Sequence, residues 1–216
     1  MTALIVKAVV AYLLGSLIGG LLVGRVRGGV DIRRMGSGNA GGTNALRTQG
    51  KGFAFWVLLI DIGKGWLATA VLAGATLPGI STAGPERAWL AAACGAAVML
   101  GHIYPLWYGF RGGKGVATLI GAVLGAAPML LLPMLAVWLL TVVLSGYVGL
   151  GSMLAAVTFA LAAAVRPPIR GGLLAFAVLA AMLIVYTHRS NIARMLAGTE
   201  PRARRLWLLG TRARPS

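Results

Sequence analysis

Residues 53–77 read FAFWVLLIDIGKGWLATAVLAGATL, an apolar run long enough to cross a bilayer and interrupted by only two charges, Asp61 and Lys64. About 20 helical residues span a hydrocarbon core. Further apolar runs extend from Leu4 to Val23, Ala88 to Ile103, Val116 to Ala127, Met129 to Leu144, Leu150 to Val165 and Gly172 to Thr187. The expected fold is all-α: an integral membrane helical bundle of five to seven spans, with seven transmembrane helices the preferred count and some of them short or kinked. Pro128 and Pro133 are expected to break or kink the chain between two of them. The first run ends in Gly and Arg without a small-residue cleavage site and reads as a retained helix. Asp61 and Lys64 stand three apart on one helical face, where ionisable groups are expensive unless paired. They read as an ion pair that holds the bundle.

Composition agrees. Of 216 residues 58% are hydrophobic and 11% charged, more apolar surface than a soluble domain of this size buries. One membrane domain over 1–216, with a basic tail at 189–216, is the simplest organisation. The net charge of +16 does not mark a nucleic-acid reader, because such proteins carry their charge on a water-soluble scaffold. Charge clustered at one end of the spans instead sets orientation and attracts anionic head groups or substrates. With the N-terminus outside and seven spans, the inner segments collect Arg25, Arg27, Arg33, Arg34, Arg47, Lys51, Arg111 and Lys114. The C-terminus is then cytoplasmic and adds Arg189, Arg194, Arg202, Arg204, Arg205, Arg212 and Arg214, against Lys7, Arg87, Arg166 and Arg170 outside. Cys94, the single cysteine, offers neither a disulfide nor a thiolate zinc site and reads as structural.

Three polar stretches then fall on one side. The first, Gly36-Ser37-Gly38-Asn39-Ala40-Gly41-Gly42-Thr43-Asn44-Ala45-Leu46-Arg47, has glycines that permit positive φ and an anion-binding nest of N–H groups. Its hydroxyls and amides add donors, and Arg47 suits a bidentate phosphate contact. The second, Arg111-Gly112-Gly113-Lys114-Gly115, leads into an apolar helix whose N-terminus favours anions. It lacks the spacing of a nucleotide P-loop, so ATP is not implied. The third, His188-Arg189-Ser190-Asn191-Ile192-Ala193-Arg194, puts His188 and Asn191 on one face if the helix continues. Each alone has an ordinary reading: a flexible turn, a topology anchor, a histidine snorkelling to the interface with lipid-surface arginines behind it. Their convergence is the functional clue. His102 has no acidic neighbour in sequence and reads as structural. With only Asp31, Asp61, Glu86 and Glu200 acidic, there is no carboxylate cluster for two-metal chemistry and no acid/base pair. No metal or cofactor is expected, so the substrate must bring its own reactivity.

These motifs in this order resemble the acyl-phosphate-dependent glycerol-3-phosphate acyltransferase family of bacterial membranes. The resemblance runs from Gly15-Ser16 through Gly36 to Arg47, Asp61 to Gly65, Gly101-His102 to Thr118, and His188 to Glu200. Leu17-Ile18 stand where the family commonly has a proline, and Ala40 and Gly42 where it commonly has Pro and Ala. Ser152 matches a serine near the substrate, whereas Gly149 replaces a commonly hydroxylated position. The resemblance implies transfer of an acyl group from a long-chain acyl phosphate to the 1-hydroxyl of glycerol 3-phosphate, giving lysophosphatidic acid and phosphate, the first step of phospholipid biosynthesis. It implies that Ser37, Gly38, Asn39, Gly41, Gly42, Thr43 and Asn44, with Gly112, Gly113 and Gly115, hold the acyl phosphate. Arg47, Lys114, Ser152, His188 and Asn191 then hold glycerol 3-phosphate and form the catalytic set. The general base is His188 or, preferably, a substrate phosphate oxygen, since His188 lacks a carboxylate orienter. The expected setting is the bacterial cytoplasmic (inner) membrane, with a monomer facing the cytoplasm, lipids around it and an acyl-phosphate-producing acyltransferase as partner. An anion transporter, which would place such groups at the midplane of repeated halves, and a ligand-free structural protein are the rival readings.

Overall fold

The structure, a computed structural model, describes residues 1–79, 84–167, 171–204 and 206–209; Arg170, Arg205, Arg212 and Arg214 lie outside them. Its elements are helices: α1 (Thr2–Gly15), α2 (Gly19–Val26), α3 (Gly42–Gln49), α4 (Lys51–Trp66), α5 (Leu90–Ile103), α6 (Val116–Ala126), α7 (Leu131–Ser145), α8 (Val148–Val165), α9 (Gly171–Thr187) and α10 (Arg189–Leu196). α4 continues through a wider π-type turn to Leu72, giving one helix from Lys51 to Leu72.

Hydrophobic side chains face outward as well as inward. The Pro128–Ser145 segment is only 17% buried, and Leu132, Leu139, Leu140 and Leu161 are all more than half exposed. Water does not tolerate such a surface, while a bilayer requires it, and helices satisfy their own backbone groups there. Four helices are long and apolar enough to cross alone, and six crossings result if each bent pair, α1 with α2 and α9 with α10, is one span. α6 is a shorter apolar helix. The first run, expected as one retained helix, is thus broken: α1 and α2 meet at 46° across Ser16 to Ile18. Pro133 does not end a helix: it falls in the first turn of α7, where a missing N–H costs nothing. Pro128 does mark a break, opening a short turn after α6.

Inter-helix packing rests on glycines, since lipid supplies no hydrophobic drive between helices and close backbone approach must replace it. On α1 and α5, Gly15 lies against the Val98 carbonyl and Gly101 against the Tyr12 carbonyl. α4 and α6 repeat this, with Gly65 against Thr118 and Gly121 against Ile62. A methyl group at any of the four overlaps a backbone oxygen. Gly15→Ala should therefore lower stability by about 1 to 3 kcal/mol, and an unchanged thermal midpoint in detergent refutes that packing account. Lys7, counted on the outer side, is 1% exposed and donates to the Ala73 carbonyl at 2.8 Å, near the end of the α4 extension. Cys94 is buried among Ala11, Ala68, Leu90 and Val98.

Candidate active site

The loop before α3 is shaped by one amide. Asn44, 1% exposed, donates from Nδ2 to the carbonyls of Ile32, Met35 and Asn39 at 2.9 to 3.0 Å and accepts the Ser37 N–H at Oδ1. Its hydrogen-bonding capacity is filled by the loop. Asn44 is thus a scaffold for the turn, not the phosphate ligand expected from sequence. Of the loop glycines only Gly36 and Gly38 take positive φ, 57° and 73°. Gly41 caps α3 and Gly42 begins it. Ser37, Gly38, Thr43 and Arg47 are exposed, with Asn39 partly so.

The second stretch is also more structural than its glycines suggest. The N–H groups of Gly112 and Gly113 donate to the carbonyls of Ile103 and His102, both at 3.1 Å. Neither remains for a phosphate, which corrects their expected role. Gly113 is needed because any side chain there collides with the His102 imidazole. Gly115, at φ 89°, turns the chain into α6, whose first amides are left without intrahelical partners.

Lys114 gathers the third stretch. Its Nζ donates to Asn191 Oδ1, and its own carbonyl accepts the Thr187 hydroxyl at 3.1 Å. Asn191 Nδ2 donates to Glu200 Oε1 at 2.5 Å, and Glu200 pairs through Oε2 with Arg194 at 2.6 Å. Burial pushes the Lys114 ammonium down to about 8; Arg194, Arg189 and Arg47 push the same way, and Glu200 opposes them. Arg47 thus lies within electrostatic reach of Lys114, which brings the first and second stretches near each other. The helix does not continue through His188: α9 and α10 meet there at 51°. His188 and Asn191 are nonetheless both buried, at 4% and 8% exposure, so His188 is no snorkelling tip. His188 Nδ1 lies 2.8 Å from the Ile184 carbonyl. A carbonyl only accepts, so Nδ1 carries the proton and Nε2 the lone pair in the neutral ring. Ser152 is buried and donates to the Val148 carbonyl at 2.9 Å, one turn from Gly149, which packs against the Asn191 amide.

Next to the second stretch, where Gly113 lies against the His102 ring, is a buried ionic knot. Lys64 Nζ is 3.0 Å from Asp61 Oδ1, and His102 Nδ1 is 3.4 Å from the same oxygen. Lys64 also donates to the carbonyls of Gly15 and Leu17, while Asp61 accepts the Gly19 N–H at 3.1 Å. The predicted pair exists and joins the two halves of the broken helix.

A model of the family described as glycerol-3-phosphate acyltransferase matches residues 5–198. The chain belongs to that family. The glycerol-3-phosphate acyltransferase of Chlorobaculum tepidum is 39% identical, covering 90% of this chain and 94% of its own. That of Agrobacterium fabrum is 41% identical, covering 92% and 91%. Two crystal structures of PlsY (YgiH), an integral membrane glycerol 3-phosphate acyltransferase, share the fold. The glycerol 3-phosphate form has a TM-score of 0.82 at 35% identity, covering 94% of this chain and 96% of that one. The lysophosphatidic acid form has a TM-score of 0.78 at 34% identity.

Seen as an acyltransferase, the chain has residues near its candidate site that local sequence reasoning missed. Asp61 is the acidic partner that His102 lacks in sequence. Glu200 braces Asn191 and Arg194, and Arg202 is stacked between Tyr147 and Trp207 at 4.7 and 4.1 Å from their ring centres, so neither Arg194 nor Arg202 is a free lipid-surface charge. The scarcity of carboxylates was the available signal for Glu200, since each acidic residue in so basic a chain has many cations competing for it.

Proposed function

We propose that this acyltransferase takes its acyl group from a long-chain acyl phosphate and places it on the 1-hydroxyl of glycerol 3-phosphate, releasing phosphate and lysophosphatidic acid. The observation that carries the reading is the half-buried Lys114. It is held by Asn191, feels Arg47, Arg189 and Arg194, and stands near an imidazole rather than an enzyme nucleophile. Such a place binds phosphate groups and leaves the chemistry to an activated donor. The substrate hydroxyl oxygen forms the new bond to the acyl carbon, the acyl carbon to phosphate-oxygen bond breaks, and the hydroxyl proton passes to the departing phosphate. Proximity and charge neutralisation suffice for a mixed anhydride.

In this assignment Ser37, Gly38, Asn39, Gly41, Gly42 and Thr43, with Gly115 and the free amides opening α6, receive the acyl phosphate. Arg47, Lys114, Ser152, His188 and Asn191 receive glycerol 3-phosphate. The topology that suits it counts α6 as a seventh span, with the N-terminus outside and the basic ends in the cytoplasm, in a one-domain monomer of the bacterial inner membrane. The deciding assay follows lysophosphatidic acid formation by purified protein given glycerol 3-phosphate with palmitoyl phosphate or with palmitoyl-CoA. Turnover with the thioester alone overturns the donor assignment.

Two outcomes test the residues. With the proton carried by substrate phosphate, His188→Ala retains measurable turnover at saturating glycerol 3-phosphate; complete loss with binding intact gives the base role to the imidazole. Lys114 is cationic below about pH 8 and loses its charge above it. Efficiency at low glycerol 3-phosphate should therefore fall as pH rises through that value. In Lys114→Arg the fall should leave the range, because a guanidinium stays charged beyond pH 12. A wild-type profile flat from about pH 7 to pH 9.5 counts against this role for Lys114.

A further inference from the structure

A second cationic cavity, apart from the residues assigned to catalysis, opens between the loop after α2 and the loop after α5. It has a volume of about 560 Å³ and is lined by Asp31, Arg33, Arg34, Tyr108, Gly109 and Arg111. Arg33 is committed within it. Its Nε and Nη2 bind the Asp31 carboxylate at 2.9 to 3.3 Å, and its Nη1 donates to the carbonyls of Arg111 and Tyr108 at 3.0 and 3.3 Å. That strut joins the two loops and neutralises the one acidic side chain in the lining. Arg34 and Arg111 are exposed, and among the described residues neither side chain makes a hydrogen bond or ion pair. Two free guanidiniums therefore face a preformed recess, the arrangement that takes a phosphate through paired N–H donors.

The rim identifies the source of that phosphate. Leu106, Trp107 and Phe110 are exposed at 43%, 58% and 55%, directly beside the cationic lining. Phe110 is the only non-glycine among the described residues with positive φ, 59°, following Gly109 at 63°. This left-handed pair turns a large aromatic side chain outward, a backbone conformation that proteins keep where the side chain has work at a site. Aromatic rings next to arginines are the composition of a bilayer interface, with apolar bodies toward the acyl chains and charge toward the head groups.

We infer that the cavity between the Asp31 to Arg34 loop and the Leu106 to Arg111 loop is a binding site for the phosphate head group of an anionic membrane lipid. Arg34 and Arg111 take the phosphate, while Trp107 and Phe110 border the glycerol and upper acyl region. This site is independent of which acyl donor the enzyme uses.

The test is thermal unfolding of the purified full-length protein in neutral detergent, titrated with phosphatidylglycerol, phosphatidylcholine or inorganic phosphate. Phosphatidylglycerol should raise the midpoint saturably. Arg34→Ala/Arg111→Ala should raise its half-effect concentration by about tenfold or more, as loss of charge-assisted hydrogen bonds does. The control Arg25→Ala/Arg27→Ala removes equal charge from the C-terminal end of α2, outside the cavity lining, and should leave that concentration within about twofold. Saturating glycerol 3-phosphate should not move it either. Equal stabilisation by phosphatidylcholine, equal weakening in the control, or displacement by glycerol 3-phosphate overturns the assignment. Inorganic phosphate acting as well as the lipid, with its effect lost in Arg34→Ala/Arg111→Ala, reassigns the cavity to free phosphate. If the alanine pair does not fold, Arg34→Lys/Arg111→Lys keeps the charge without the fork and should still weaken the lipid effect severalfold; an undiminished effect there overturns the proposal.

Discussion

Lys64→Met is expected to destabilise the protein by about 3 to 5 kcal/mol, the range for removing one member of a buried ion pair. Lys64 is 3% exposed and its ammonium reaches the carbonyls of Gly15 and Leu17 at 2.9 and 2.8 Å. These oxygens sit at the C-terminal end of α1, where the helix leaves acceptors unfilled and the macrodipole is negative. Asp61 meets the opposite end of the break, accepting the first N–H of α2. Cation and anion thus each cap the half-helix of opposite polarity, and methionine leaves carbonyls and a carboxylate unanswered in a medium without water. The thermal midpoint in detergent should fall by about 10 °C or more. Asp61→Asn/Lys64→Met should lose less than the two single losses combined, because no uncompensated charge remains. A wild-type midpoint for Lys64→Met removes the break-capping role.

Lys114→Ala carries the largest expected effect on activity. Losing charge-assisted hydrogen bonds worth about 1.5 to 3 kcal/mol should lower kcat/KM for glycerol 3-phosphate by roughly tenfold to over a hundredfold. Asn191 loses the donor to its Oδ1 at the same time and keeps only Glu200, which favours the upper part of that range. The folded state should be largely preserved, since Lys114 is only half-buried and lies outside the spans. Wild-type efficiency in a well-folded Lys114→Ala removes the residue from the site.

The membrane bundle was legible because apolar runs of bilayer length need no tertiary knowledge to interpret. The Asp61 and Lys64 pair was legible for the same reason: charge inside such a run must be answered. The break between α1 and α2 was not, since Ser16-Leu17-Ile18 contains no proline and the residues that cap it arrive from α4. The candidate site was legible as three polar stretches, but not in the division of labour within them. Asn44 looks like a phosphate ligand until its amide is found filled by three carbonyls and an N–H. Gly112 and Gly113 look like a phosphate nest until their N–H groups are traced to the end of α5.

Residue chemistry and the spacing of apolar runs were enough to establish a helical membrane protein with polar, basic connections, because transfer free energy and helix periodicity are local properties of a chain. Which of those polar groups stay free for a ligand was settled by folding alone. A donor or acceptor has finite capacity, and whether it is already filled depends on partners such as Glu200 for Asn191, or Asp61 for His102, that only the packed helices bring within reach.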